Sequence, residues 1–556
     1  MVLQLRCQTL FLPKMTLHSP SFAVQFLSSA VNMHKALVSI RNLRSPVFAI
    51  VFYALAALAA YEVAQFILTE DISLLMYLGI VIAGAIGAVN VLNDWRKGVY
   101  LFVAWILFED FFRKYLGNNM ALYFAKDVLV LLLYLSFFRA QRVNLVERFR
   151  PSFIVPLLCF LFFGVIQVFN PNSTSVFYGL MGMKLYFFYV PLLYVGYYFI
   201  DSERRLRSFF AFNSILILVV VCLGIAQAII GHTFLNPTVI QEDIRDLSTI
   251  YRASPITGLV AYRPTSVFVS AGRFQNFQIV SWILTLGYGG FLLLRSRKGR
   301  LIAFTCIGVL AAGTLLTASR GVLLWNSAGA LFIAAGFLWG APWRNREGVR
   351  VLRIIQRVAV FVGIAIVVLM VVFPEQLSSR LSIYSETLDP SSPTSELYSR
   401  SGNYPIQNFL LAFEYPNWPY GYGIGTASLG GQYVTRITHA APMGIGVESG
   451  YGNLILELGI LGLILWIVLA TAISRSAWSA AKSLRGSPWF PIAFAIFWYA
   501  FLLAIPMSFY GFTAYEDFVL NAYFWLLLGI LFRLRAVAKT PEFHSVEKSV
   551  SDSGTI

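Results

Sequence analysis

Apolar runs of roughly 17–23 residues, the length a helix needs to cross a bilayer, recur along the chain between residues 46 and 532. They are apolar without alternation, so they read as helices and not as the strands of a barrel. A helix also satisfies its own backbone in lipid. The runs lie near 46–68, 73–92, 98–112, 121–138, 152–169, 185–200, 208–230, 275–294, 301–317, 322–341, 356–373, 453–473, 488–510 and 518–532. They predict an all-α polytopic membrane protein with about 14 transmembrane helices. One polar interval is far longer than the rest. Residues 374–452 separate eleven spans (46–373) from the last three (453–533) and are expected to form a long, partly helical loop outside the bilayer. Residues 1–45 make a basic tail, and 534–556 a polar tail expected to be disordered.

Charge gives the spans a direction. Basic residues gather in every second connection, at Arg96 and Lys97, Arg139 and Arg142, Arg204 and Arg205, Arg297 and Lys298, Arg344 and Arg350, Lys482 and Arg485, and in both tails. Of 42 lysines and arginines, 30 fall on this set, against 8 of the 26 acidic residues. By the positive-inside rule these connections and both termini are cytoplasmic, and the 374–452 loop faces outward.

Composition agrees with that reading and removes others. A chain 58% hydrophobic and 12% charged, with mean hydropathy +0.71, is not a soluble domain. Its net charge of +16 does not point to nucleic acid, because the cations are scattered at span ends, where they anchor helices and meet anionic lipid. The apolar stretches of the first 45 residues are too short for a signal-peptide core, and Met15 or Met33 could be the true start. Cys159, Cys222 and Cys306 fall in spans and Cys7 in the tail, which excludes a disulfide framework in the outer loops.

Twelve cations break the charge rule and call for a reason. Arg320 stands out, within Thr317-Ala318-Ser319-Arg320-Gly321, the whole connection between two apolar runs. A guanidinium there must find an anion, either an ordinary lipid headgroup, an internal carboxylate, or a lipid-linked phosphate substrate, for which its planar fork is suited. Arg263 and Arg273 are the better-placed cations of the 231–272 loop, while Lys126, Asp127 and Lys184 read as structural pairs within spans. Arg400 opens an amphipathic stretch from Asn403 to Tyr415, with Ile406, Phe409, Leu410 and Phe413 on one face. A turn-rich run, Pro416 to Gly425, follows, then His439, then Glu448 just before a helix from Asn453. His439 and Glu448 are both possible general bases. The five histidines show no metal-ligand spacing, so neither metal nor cofactor is expected.

These residues resemble the O-antigen ligase and polymerase superfamily of bacterial membrane glycosyltransferases. The likeness rests on Thr317 to Gly321, on Arg400 opening a loop helix that runs to Tyr422-Gly423-Ile424-Gly425, and on Glu448-Ser449-Gly450-Tyr451 leading to Gly459 and Gly462. It extends to Phe108-Glu109-Asp110-Phe111-Phe112-Arg113-Lys114, to Gln167 through Pro171, and to Gly182-Met183-Lys184, and covers about residues 45–535. It implies a bacterial inner-membrane enzyme that transfers or polymerises a glycan from undecaprenyl diphosphate onto a saccharide or lipid-saccharide hydroxyl, without a metal. In this family two arginines hold the diphosphate, and the matching positions are Arg320 and Arg400. Ligases of the family carry a histidine 11 residues before the helix glycine, where this chain has Glu448. Either Glu448 takes the base role, or His439 reaches the site, or the acceptor differs.

The chemistry is coherent with that implication. Negative charge develops on a departing diphosphate where guanidiniums could meet it, and a sugar hydroxyl needs a base. The rival class is a transporter or flippase of lipid-linked saccharides, which would need charges along a path through the bilayer.

Overall fold

The computed structural model describes residues 72–116, 120–143, 149–236, 250–253, 258–295, 297–340, 374–388, 404–428, 430–438, 444–511 and 513–537, with isolated positions in 356–372. The expected spans at 46–68 and, for the most part, 356–373 lie outside the described residues, as do Arg400, His439 and the tail beyond 537. The chain divides into two units, 1–86 and 87–556. A helix from Ile72 to Asn93 (α1) leads from the first into the second.

The second unit is a helical bundle. Its elements are α2 (Trp95–Tyr115), α3 (Met120–Val143), α4 (Ile154–Val168), α5 (Val176–Phe187), α6 (Leu192–Phe199) and α7 (Glu203–Ile230). A two-stranded hairpin follows, β1 (Tyr251–Ala253) against β2 (Val260–Tyr262), antiparallel with Arg252 opposite Ala261. Then come α8 (Ala271–Arg295), α9 (Arg297–Leu316), α10 (Arg320–Gly340), α11 (Pro374–Leu388), α12 (Tyr404–Leu411), α13 (Gly431–Thr438), α14 (Gly450–Ser483), α15 (Phe490–Leu502) and α16 (Phe518–Val537). Among the described residues, eight helices are long and apolar enough to cross a membrane, with α5 and α6 together forming one of them. The chain is therefore a helical, multi-pass membrane protein.

Helix starts follow from local chemistry. Asp94 caps α2 by accepting from Arg96 N–H at 3.0 Å, Ser202 caps α7, and Ser449 caps α14 through Gly452 N–H at 3.3 Å. Pro506 lies in a single π turn, Leu503–Met507, that prolongs α15, the kind of break that a missing N–H imposes. Three local expectations are corrected. The run at 98–112 belongs to a longer helix of 21 residues, whose charged ends had hidden its length. Within the Asn403–Tyr415 stretch the described part is a short helix, Tyr404–Leu411, with a 3-10 turn over Ala412–Glu414, and its apolar face is divided. Phe409 packs edge-on against Phe413 and tilted against Phe509, while Ile406 and Leu410 stay exposed. The hairpin is a third departure, a strand pair within an otherwise helical chain.

The two sets of connections separate in space. One end of the bundle carries Arg96, Asp201 and Arg205, and there Arg485 donates to Trp339 O and Arg533 to Ile200 O. The other end carries the hairpin, the Arg320 turn, α11 and α12, and the start of α14.

Candidate functional site

The start of α10 is built to hold one side chain. Ala318 takes a left-handed backbone (φ 51°), unusual for a residue with a Cβ, so the surroundings must enforce it. Thr317 Oγ1 donates to Thr314 O at 2.7 Å and accepts from Ser319 N–H at 3.3 Å. From α11, Arg380 donates to Leu316 O at 3.0 Å and to Tyr262 O at 3.1 Å, and Tyr384 Oη donates to Leu315 O at 3.0 Å. Burial pulls the Arg380 guanidinium below its ordinary value and pushes the Tyr384 hydroxyl up. Asn326 braces the turn from below, donating to Thr314 Oγ1 at 2.8 Å. Arg320 emerges from this frame as the first residue of α10, with only 6% of its surface exposed.

Glu448 occupies the next stretch. It is exposed, accepts a hydrogen bond from Tyr404 Oη of α12, and precedes the Ser449 cap, whose hydroxyl also donates to Phe509 O at 3.0 Å. A cavity of about 960 Å³ opens beside it, lined among others by Asn408, Glu414, Tyr415, Asn453 and Tyr510. The cavity and the Arg320 helix meet through one ring pair, Trp325 with Tyr510 at 5.7 Å between centroids. Trp325 is five residues beyond Arg320, about 7.5 Å along the helix and about 140° around it, so the two side chains leave on different faces.

The wall of the cavity is fixed by a loop that threads back against the bundle. α14 breaks at Gly459 (φ 69°), a conformation open in practice to glycine alone. The break frees backbone groups, and residues 419–423 take them up: Tyr422 N–H donates to Leu456 O at 2.7 Å, Gly423 N–H to Glu457 O at 3.0 Å, and Ile460 N–H to Pro419 O at 3.2 Å. Close approach demands glycine on both sides, since a Cβ on Gly459 would sit 2.4 Å from Pro419 O and one on Gly421 2.6 Å from Glu457 O. Gln167 and Asn172 hold the same loop from the other side, through Tyr420 O and Gly421 O at 3.0 Å each. Glu457, fully buried, accepts from Tyr186 Oη at 2.8 Å and from Ala427 N–H at 3.0 Å, locking the loop to α5. Sequence reading passed over Glu457 as a site residue. The available signal was a carboxylate two residues before a glycine inside an apolar helix.

The remaining cations fall elsewhere. Arg273 is held between Asp110 and Asp517, the latter at 3.0 Å, over the ring of Phe518. It therefore belongs to a buried ionic cluster in which Lys126 meets Glu109 at 3.0 Å, Arg113 meets Asp110 at 3.0 Å and Lys184 meets Asp127 at 2.5 Å. Lys114 binds Ser266 O at 2.6 Å and Thr265 Oγ1 at 3.0 Å, folding the 264–266 turn into the bundle. Arg263 donates to Gln275 Oε1 at 3.0 Å, and burial together with Arg252 lowers its pKa from the ordinary value. The structure thus places Glu448 on a cavity whose Tyr510 touches the Arg320 helix, and it assigns Arg273 to a separate set of contacts.

No protein-family model matches the chain, and no curated protein matches it significantly.

Proposed function

We propose that the chain is a glycosyltransferase of the multi-pass membrane type, transferring or polymerising an undecaprenyl-diphosphate-linked glycan. The work takes place at the outer face of a bacterial inner membrane, in a chain of about 14 spans with both termini cytoplasmic. The observation that carries the reading is an exposed carboxylate, Glu448, on the rim of a large cavity at the end of the bundle where a rigid turn holds Arg320. Arg320, with Arg400, takes the diphosphate; Glu448 takes the proton of the acceptor hydroxyl, with His439 as the alternative base. A cation at a span end suits a donor that stays in the lipid.

The test is reconstitution of the purified chain with a defined undecaprenyl-diphosphate oligosaccharide, reading chain elongation against transfer to an added saccharide. Arg320→Lys keeps the charge and loses the bidentate fork, so transfer should drop by at least about tenfold with the protein still folded. Normal yield from that variant sinks the diphosphate role.

The buried ionic cluster favours one other reading, a flippase with charges along its path. The same vesicles separate the two, because a flippase moves the intact lipid-linked glycan across the bilayer without making a new glycosidic bond.

A further inference from the structure

The cavity beside Glu448 has a composition of its own. At about 960 Å³ it is at the upper end of small-molecule sites, which run to about 1,000 Å³, so it holds more than one sugar ring. Several of its polar groups are uncommitted among the described residues. Asn453 spends its Oδ1 on Val447 N–H at 3.1 Å, which leaves its two N–H donors. Asn408 spends its Nδ2 on Tyr404 O at 3.0 Å, which leaves its oxygen. The Tyr510 hydroxyl and the Glu414 carboxylate also have no protein partner there. Tyr415, whose hydroxyl is tied to Gly446 O at 3.3 Å, and the half-exposed Tyr510 supply flat apolar faces. Amide donors and acceptors beside aromatic faces match the hydroxyls and the C–H faces of a sugar. The described lining holds two carboxylates, Glu414 and Glu448, and no lysine, arginine or histidine.

We infer that this cavity is the acceptor subsite, that it takes a saccharide free of acidic groups, and that Glu414 adds to Glu448 in setting this preference. The inference rests on the glycosyl-transfer reading for the word acceptor, and on the cavity alone for its charge preference. Glu448 has a role in the transfer step; Glu414 has none and acts by repelling a uronate, phosphate or pyruvyl group brought against it. The like-charge cost falls on acidic sugars only, so binding, not turnover, reports it.

The experiment measures binding of three trisaccharides to the full chain in nanodiscs with no lipid-linked donor present: neutral glucan, glucosamine and galacturonate. The uronate should bind about tenfold more weakly than the neutral sugar at low salt, and the gap should close toward 1 M salt, where charges are screened beyond about 3 Å. Glu414→Gln should narrow the gap by at least about threefold, read as the ratio of neutral to uronate binding within the same variant. Tyr510→Ala should weaken all three together. Uronate binding equal to the neutral sugar, a gap untouched by Glu414→Gln, or binding of none of the three overturns the subsite. A charge preference present in a chain that makes no glycosidic bond overturns the transfer reading and leaves the subsite standing. Transfer that proceeds equally to acidic acceptors does the opposite.

Discussion

Two groups of charged side chains sit at the same end of the bundle, and they are organised in opposite ways. Around Asp110 each charge meets another inside the protein: Arg113 and Arg273 converge on Asp110, Lys126 on Glu109, and Lys184 on Asp127. Around Glu448 the carboxylates of Glu414 and Glu448 face a cavity, and the one described polar contact to Glu448 is a tyrosine hydroxyl. Buried ions that pair with one another tie helices together and hold their charge inside the protein. Ions that border open space keep their capacity for a ligand. The same residue types therefore fasten helices in one region and border open space in the other.

The comparison can be broken at either side. The largest effect is expected from Asp110→Ala, which leaves Arg113 and Arg273 without a shared carboxylate and should cost about 3–5 kcal/mol. Thermal unfolding in detergent reads it, and an unchanged melting curve denies the cluster its fastening role. Glu448→Gln should leave that melting curve alone and slow single-turnover transfer by about 100- to 10,000-fold. A full rate from it beside an inactive His439→Gln gives the base role to the histidine. Gly459→Ala should cost about 1–3 kcal/mol through its left-handed backbone alone and loosen residues 419–427, seen as faster proteolysis there. Tyr404→Phe is the mildest change. Losing one hydrogen bond to an exposed carboxylate should lower the rate by no more than about tenfold, without loss of fold.

Legibility followed distance along the chain. Spans and the alternation of basic connections were readable because each rests on a local run of residues and on the bilayer, which acts on every run alike. The 95–115 helix was read short because 98–112 stops at the charged ends, Arg96 and Lys97 on one side and Arg113 and Lys114 on the other, and most partners that admit charge into this helix are remote in sequence. Those partners are 17 residues away for Glu109 and 163 for Arg273 with Asp110, separations that leave no local trace. Arg380 ends on the Leu316 and Tyr262 carbonyls, and nothing near it in sequence could show that. Gly421, Gly423 and Gly425 were readable as turn-forming. Their use against the break at Gly459 was not, because two backbones must meet before either glycine has a reason.

The break at Gly459 also says how this protein can change over generations. Residues 419–423 are gripped by main-chain atoms of the helix, so the side chains of Pro419, Tyr420 and Tyr422 are replaceable in a way that the spacing is not. From Tyr422 N–H on Leu456 O to Ala427 N–H on the Glu457 carboxylate, five residues of loop are measured against one step of helix. A single inserted residue in that interval shifts every later contact by one place. Homologues are therefore expected to vary in spelling here and to keep the letter count.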